Sequence, residues 1–157
     1  VQDRTGGFTA FICWTFQPGE NPLGQQLLAS GWSKASHAPY FRTVAVARIF
    51  LDNFVNHQAS FVTQGKDAAQ MGLRMGCNDF GSAMLEENVV SAAGCHQLVA
   101  LEDIETTIRA AGFVPRQRNQ RYEIVDPRGP HPLAHELETC GAAATGQGRR
   151  HAEAVSA

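Results

Sequence analysis

Asn78-Asp79-Phe80-Gly81-Ser82-Ala83-Met84-Leu85-Glu86-Glu87-Asn88 gathers carboxamides and carboxylates around a Gly-Ser pair. Cys77 to Phe80 predicts a very short strand leading into it. Ser82 is placed to cap a helix from Ala83 to Ala93, which Gly94 ends. Polar groups at a strand end, on the loop that opens the next helix, are how α/β proteins present reactive and binding side chains.

On the N-terminal side, short apolar segments alternate with helical patterns. Phe8 to Trp14 is an aromatic-rich run and predicts a strand buried on both faces, stopped by Gln17-Pro18-Gly19. A short helix is expected at Leu23 to Leu28. Tyr40 to Asn53 predicts the strongest helix, with Pro39 at its first position, apolar residues over most of its circumference and an Arg48–Asp52 pair. Ala59 to Thr63 predicts a second strand, and Lys66 to Met75 a helix stopped by Gly76. Leu101, Ile104, Ile108 and Ala111 form one face of a last helix, with acids in its first turn and Arg109 near its end. Tyr122 to Val125 is one further extended piece.

Strand, helix, strand, helix, strand, helix, helix implies an α/β fold with a parallel sheet. Residues 1–125 form this unit. Residues 126–157 carry few large aliphatics and predict a disordered tail. Three strands leave two edges open, so further strands or the rest of a barrel are expected beside them.

The bulk numbers exclude some classes. The chain has 157 residues, a net charge of -2 and 18% charged residues, with no basic footprint for nucleic acid. No apolar run approaches the roughly 20 residues of a membrane span. Cys13, Cys77, Cys95 and Cys140 have no metal-ligand spacing and read as reduced thiols of a cytoplasmic protein, with Cys13 and Cys77 buried. His131, His135 and Glu136 mimic a metal pair, but Pro132 argues against the helix that pair needs, so no metal ligand is assigned. The chain begins without Met and reads as cut from something longer.

Four segments together carry a resemblance. They are Gly6 to Pro18, Arg42 to Asn53, Gln58 with Val62-Thr63-Gln64-Gly65, and Gly76 with Asn78 to Ser82 and Glu86 to Gly94. They resemble the C-terminal half of the cyclic dehypoxanthine futalosine synthase family. These are radical SAM enzymes of the futalosine route to menaquinone, related to aminofutalosine synthase and the deazaflavin synthase subunits. The likeness runs to about residue 125, ending in Pro115-Arg116-Gln117-Arg118. The preference for the cyclase over its sisters rests on Cys13 to Pro18 and Phe80-Gly81-Ser82. Phe61, Ala59, His57, Pro39, Cys77 and the stretch from Gly31 to His37 depart from the family pattern.

The resemblance implies the C-terminal portion of a TIM-like (β/α) barrel, holding its last three parallel strands. It implies S-adenosylmethionine and a [4Fe–4S] cluster for the whole enzyme, with the cluster on a Cys-x-x-x-Cys-x-x-Cys loop that this sequence lacks. It also implies a nucleoside-like substrate and a missing N-terminal barrel half, in the same chain or a partner. The candidate catalytic residues are Asp79 and Glu86. The candidate substrate- or cofactor-binding residues are Thr15, Gln17, Thr63, Gln64, Asn78, Glu87 and Asn88. Each has a plainer reading: Asn78 and Asp79 as caps on local backbone, Glu86 and Glu87 as acids matching a helix dipole. Trp14 and Phe61 read as barrel core. The rival account is a non-catalytic truncated or split partial barrel that binds a nucleoside weakly or pairs with another chain through its open edge.

Overall fold

The fold was read from a computed structural model, which describes residues 1–19, 21–83 and 99–125, together with the backbone of Val155–Ser156. It is a mixed α/β arrangement on a five-stranded sheet in the order β1-β2-β3-β5-β4, in which every pairing is parallel. The strands are β1 (Ala10–Ile12), β2 (Asn56–Gln58), β3 (Asp79–Gly81), β4 (Arg116–Gln117) and β5 (Val155–Ser156). The helices are α1 (Gln2–Thr5), α2 (Pro22–Ala29), α3 (His37–Phe50), α4 (Phe61–Gln64), α5 (Lys66–Arg74) and α6 (Leu101–Ala110).

The core lies between the sheet and α3, α5 and α6. Phe80 of β3 is fully buried and stacks on Phe61 with ring centroids 5.6 Å apart. Leu73, Ile104 and Ile108 close over them, and Tyr40 and Val44 come from α3. The expected periodicity of the last helix is present, since Ile104, Ile108 and Ala111 are buried, although Leu101 at its start is exposed. Phe61 is core, as expected.

Other expectations are corrected. The second strand is not Ala59 to Thr63 but Asn56–Gln58. Phe61 to Gln64 instead winds one helical turn, with Gln64 N donating to the Ser60 carbonyl and Gly65 N to the Phe61 carbonyl. Gly65, at φ 85°, then starts α5 directly. The backbone ladders to β1 and β3 make the polar Asn-His-Gln segment the strand; side-chain pattern does not. β1 is not buried on both faces. It is the outer strand of the sheet, and Trp14 beyond its end is 60% exposed, so Trp14 is not core among the described residues.

α3 starts two residues before Pro39 and ends at Phe50. Its outward side is bare: Ile49 and Phe50 are 80% and 81% exposed. The Arg48–Asp52 pair does not form. Arg48 Nη1 donates to the Val55 carbonyl at 3.0 Å instead, and its stem lies where a Cβ on Gly76 (φ 112°) would meet it. Of Tyr122 to Val125, only Ile124 bridges, antiparallel to Arg118. The expected helix at 83–93 lies almost wholly outside the described residues. So does most of the expected tail, except at Val155–Ser156, where the backbone is a strand between β3 and β4. A composition argument weighs side chains and misses such pairing, which needs only backbone N–H and C=O groups. No helix among the described residues is long and apolar enough to cross a membrane.

His57, in the middle of β2, is 1% exposed, and among the described residues neither ring nitrogen makes a well-formed hydrogen bond. Its ring lies 5.6 Å from that of Phe11. Burial lowers its pKa below the ordinary 6.5, Arg48 lowers it further, and the Leu51 and Phe54 carbonyls act in the opposite sense. The native state therefore binds this proton less readily than the unfolded chain. Stability is fully present above the unfolded value, near 6.5, and falls as pH drops through it toward the lower folded pKa. His57→Leu should raise the melting temperature at neutral pH, because it removes a buried unsatisfied group worth about 1–3 kcal/mol. It should also flatten the melting profile as pH falls below the unfolded value. Unaltered pH dependence in the variant would place the sensitivity elsewhere.

Candidate functional site

In parallel α/β sheets, ligands gather outside the carboxyl ends of the strands. Past the end of β1 the chain runs through Thr15 and Gln17; past the end of β2 it turns into α4, which carries Thr63 and Gln64. These four residues, expected as binding groups, are brought together. Gln17 Nε2 donates to the Thr15 carbonyl at 2.8 Å and to the Thr63 carbonyl at 3.4 Å. Gln64 Nε2 donates to Thr15 Oγ1. Ser60 and Thr63 share a hydroxyl hydrogen bond of 2.7 Å, and Ser60 N donates to Tyr40 Oη at 3.1 Å.

Lys34 joins this cluster and was not anticipated. Its Nζ donates to Gln17 Oε1 at 2.7 Å and to the Thr63 carbonyl at 3.3 Å. It comes from the connection between α2 and α3, where no periodicity or motif marks a lone Lys. Phe16 packs edge-on against Trp32, centroids 5.7 Å apart, and so holds that connection against the end of β1.

Asp79 is placed differently from what its sequence position suggested. It is the first residue of β3, and its carboxylate is 1% exposed. Arg118, 5% exposed, donates Nε to Oδ1 at 3.3 Å and Nη2 to Oδ2 at 2.8 Å. Gly81 N donates to Oδ1 at 3.1 Å and the Tyr122 hydroxyl to Oδ2 at 3.2 Å. The Arg118 guanidinium lies 4.0 Å above the Tyr122 ring. Tyr122 adopts φ 63°, a left-handed conformation that costs a residue with a side chain roughly 1–2 kcal/mol. The turn is held by Asn119, whose Oδ1 accepts from Arg121 N and Glu123 N. Burial first, and then the Asp79 carboxylate, push the Tyr122 hydroxyl up to about 12, so it stays a donor. The carboxylate thus accepts four hydrogen bonds from the protein itself. Arg118 was visible only as the end of a family segment, and Tyr122 only as part of an extended piece.

Asn78 lies before β3, not at its carboxyl end, because the ladder with β2 begins at Asp79. Its Oδ1 accepts from His57 N at 2.8 Å and its Nδ2 donates to the Val55 carbonyl at 3.2 Å, the backbone-capping role of its plainer reading. Glu86, Glu87 and Asn88 lie outside the described residues.

Residues 5–130 match the CofH/MqnC C-terminal region. The chain belongs to this family. Two CofH/MqnC relatives are cyclic dehypoxanthine futalosine synthases. That of Halalkalibacterium halodurans is 46% identical over 80% of this chain and 32% of its own length. That of Streptomyces coelicolor is 50% identical over 78% of this chain and 29% of its own length. A 5-amino-6-(D-ribitylamino)uracil--L-tyrosine 4-hydroxyphenyl transferase of Methanosarcina acetivorans is 36% identical over 83% of this chain and 35% of its own length. The chain spans about a third of the length of these curated relatives.

The described part of this CofH/MqnC chain does not fit an iron–sulfur cluster. Such a cluster takes several thiolates held together. Among the described residues no three His, Cys, Asp or Glu side chains converge. Burial pushes the Cys77 thiol up to about 12, with Asp79 adding to the rise, and burial raises Cys13 as well. Without a metal beside them, both are protonated thiols at neutral pH.

Proposed function

We propose that this chain is the C-terminal portion of a TIM-like (β/α) barrel in an enzyme that cyclises dehypoxanthine futalosine to cyclic dehypoxanthine futalosine. The observation that carries the reading is 46–50% identity to two such synthases across about four-fifths of the chain. The parallel β1-β2-β3 sheet with its helices supports the barrel.

In this reading the segment binds and orients, and the radical chemistry of S-adenosylmethionine and its cluster is supplied from outside the described residues. Thr15, Gln17, Thr63 and Gln64 face a nucleoside-like substrate at the barrel mouth, where hydroxyl and amide groups pair with ribose and carbonyl oxygens. Glu86 stays the candidate catalytic acid, and Glu87 and Asn88 candidate binding groups, of the same enzyme. Asp79 acts as a positioning residue that fixes Arg118 and Tyr122. The bare edge of β1 and the apolar groove of about 370 Å³ along α3, lined by Val46, Ala47, Phe50 and Leu51 among others, are covered by further barrel elements. Those elements belong to the same polypeptide or to a partner.

A chimaera tests this. The segment replaces its counterpart in the Streptomyces coelicolor synthase, and cyclic product is measured from dehypoxanthine futalosine. Turnover within about tenfold of the parent supports the reading. A folded chimaera that makes no cyclic product contradicts it.

A further inference from the structure

We propose that Lys34 and Thr15 form an anion-binding subsite at the carboxyl ends of β1 and β2, suited to the carboxylate of a ligand seated there. The inference rests on reading these strand ends as a ligand mouth, not on the reaction carried out there.

Lys34 is an exposed residue whose ammonium reaches the strand ends. Both groups it meets, Gln17 Oε1 and the Thr63 carbonyl, are neutral. An ammonium carries three N–H donors, so one is left. Among the described residues the ion pairs are Lys66–Asp103, Arg109–Glu105 and Arg118–Asp79, and none involves Lys34.

The surrounding hydrogen bonds run in one direction. Lys34 donates to Gln17, and Gln17 donates onward to the Thr15 and Thr63 carbonyls. Gln64 donates to the Thr15 hydroxyl. That hydroxyl has its own proton to give, and no described acceptor takes it. Among the described residues the cluster therefore ends in two unspent donors, one of them cationic. Charge-assisted hydrogen bonds to an oxyanion are shorter and stronger than neutral ones. A carboxylate presents two oxygens, one for the Lys34 ammonium and one for the Thr15 hydroxyl. The Phe16–Trp32 contact holds the segments bearing these two donors together before any ligand arrives.

The test uses the ¹⁵N-labelled chain. The side-chain amide resonances of Gln17 and Gln64 are followed during titration with sodium acetate, inorganic phosphate or acetamide at constant, low ionic strength. Acetate should shift both resonances saturably and acetamide should not. Lys34→Met should weaken acetate binding at least about tenfold, whereas Lys34→Arg keeps it. Thr15→Val should weaken it as well. Flat titrations, or equal binding by Lys34→Met, overturn the subsite. Response to phosphate but not to acetate overturns the carboxylate assignment. The titration needs no turnover, so a chain that binds acetate but supports no cyclisation would overturn the proposed function alone.

Discussion

Asp79→Ala should destabilise the chain by about 3–5 kcal/mol, because it strands the buried Arg118 guanidinium without its counter-charge. Arg118 is buried and, among the described residues, keeps one hydrogen bond, to the Asn119 carbonyl, and its contact with the Tyr122 ring once the carboxylate is gone. Tyr122 loses its acceptor as well, while its left-handed backbone remains. A loss of that size approaches the whole stability of many domains, about 5–15 kcal/mol. Urea unfolding of Asp79→Ala and Tyr122→Phe separates the contributions, since Tyr122→Phe removes one hydrogen bond and should cost only about 1 kcal/mol. The paired replacement Asp79→Leu with Arg118→Met should recover most of the loss, because it removes both buried charges together. An Asp79→Ala variant with unchanged unfolding midpoint would show that the ion pair contributes nothing to the fold.

Phe80→Ala should cost a similar amount, about 3–5 kcal/mol. Phe80 sits on the helix-facing side of β3, fully buried, stacked on Phe61 and enclosed by the apolar faces of α5 and α6. Removing the ring leaves a cavity between a sheet and two helices already fixed by their other contacts, so the site collapses poorly. Phe80→Leu keeps most of the volume and should cost well under half as much. Thermal melting of the two variants checks this. Equal losses in both would mean that ring stacking, not filled volume, dominates.

The helices were legible because their burial follows a period. Ile104 and Ile108 face the core where the sequence put them, and Gly76, with its positive φ, lies just past the end of α5. Thr15, Gln17, Thr63 and Gln64 were legible as a group because they lie at or just beyond the ends of two predicted strands, although the second of these strands is Asn56–Gln58. β2 was not, because Asn56-His57-Gln58 is polar and is a strand through backbone pairing on both sides. The turn at Phe61 to Gln64 was missed because its aromatic and β-branched residues look like strand, while its hydrogen bonds close a helical turn. Asp79 and Arg118 are 39 residues apart, and nothing local in either segment announces the other. Lys34 reaches its partners from a connection without pattern. The sequence therefore pointed to residues that gather past the ends of β1 and β2, but not to the long-range ion pair that buries Asp79 against Arg118.

The most direct test of the central claim, that the carboxyl ends of β1 and β2 face the substrate, is the turnover of Gln64→Leu in the chimaera, measured alongside its melting temperature. Loss of a polar group that meets substrate should lower kcat/KM at least about tenfold, with the melting temperature within a few degrees of the parent chimaera. Unchanged kcat/KM in the folded variant would contradict the claim.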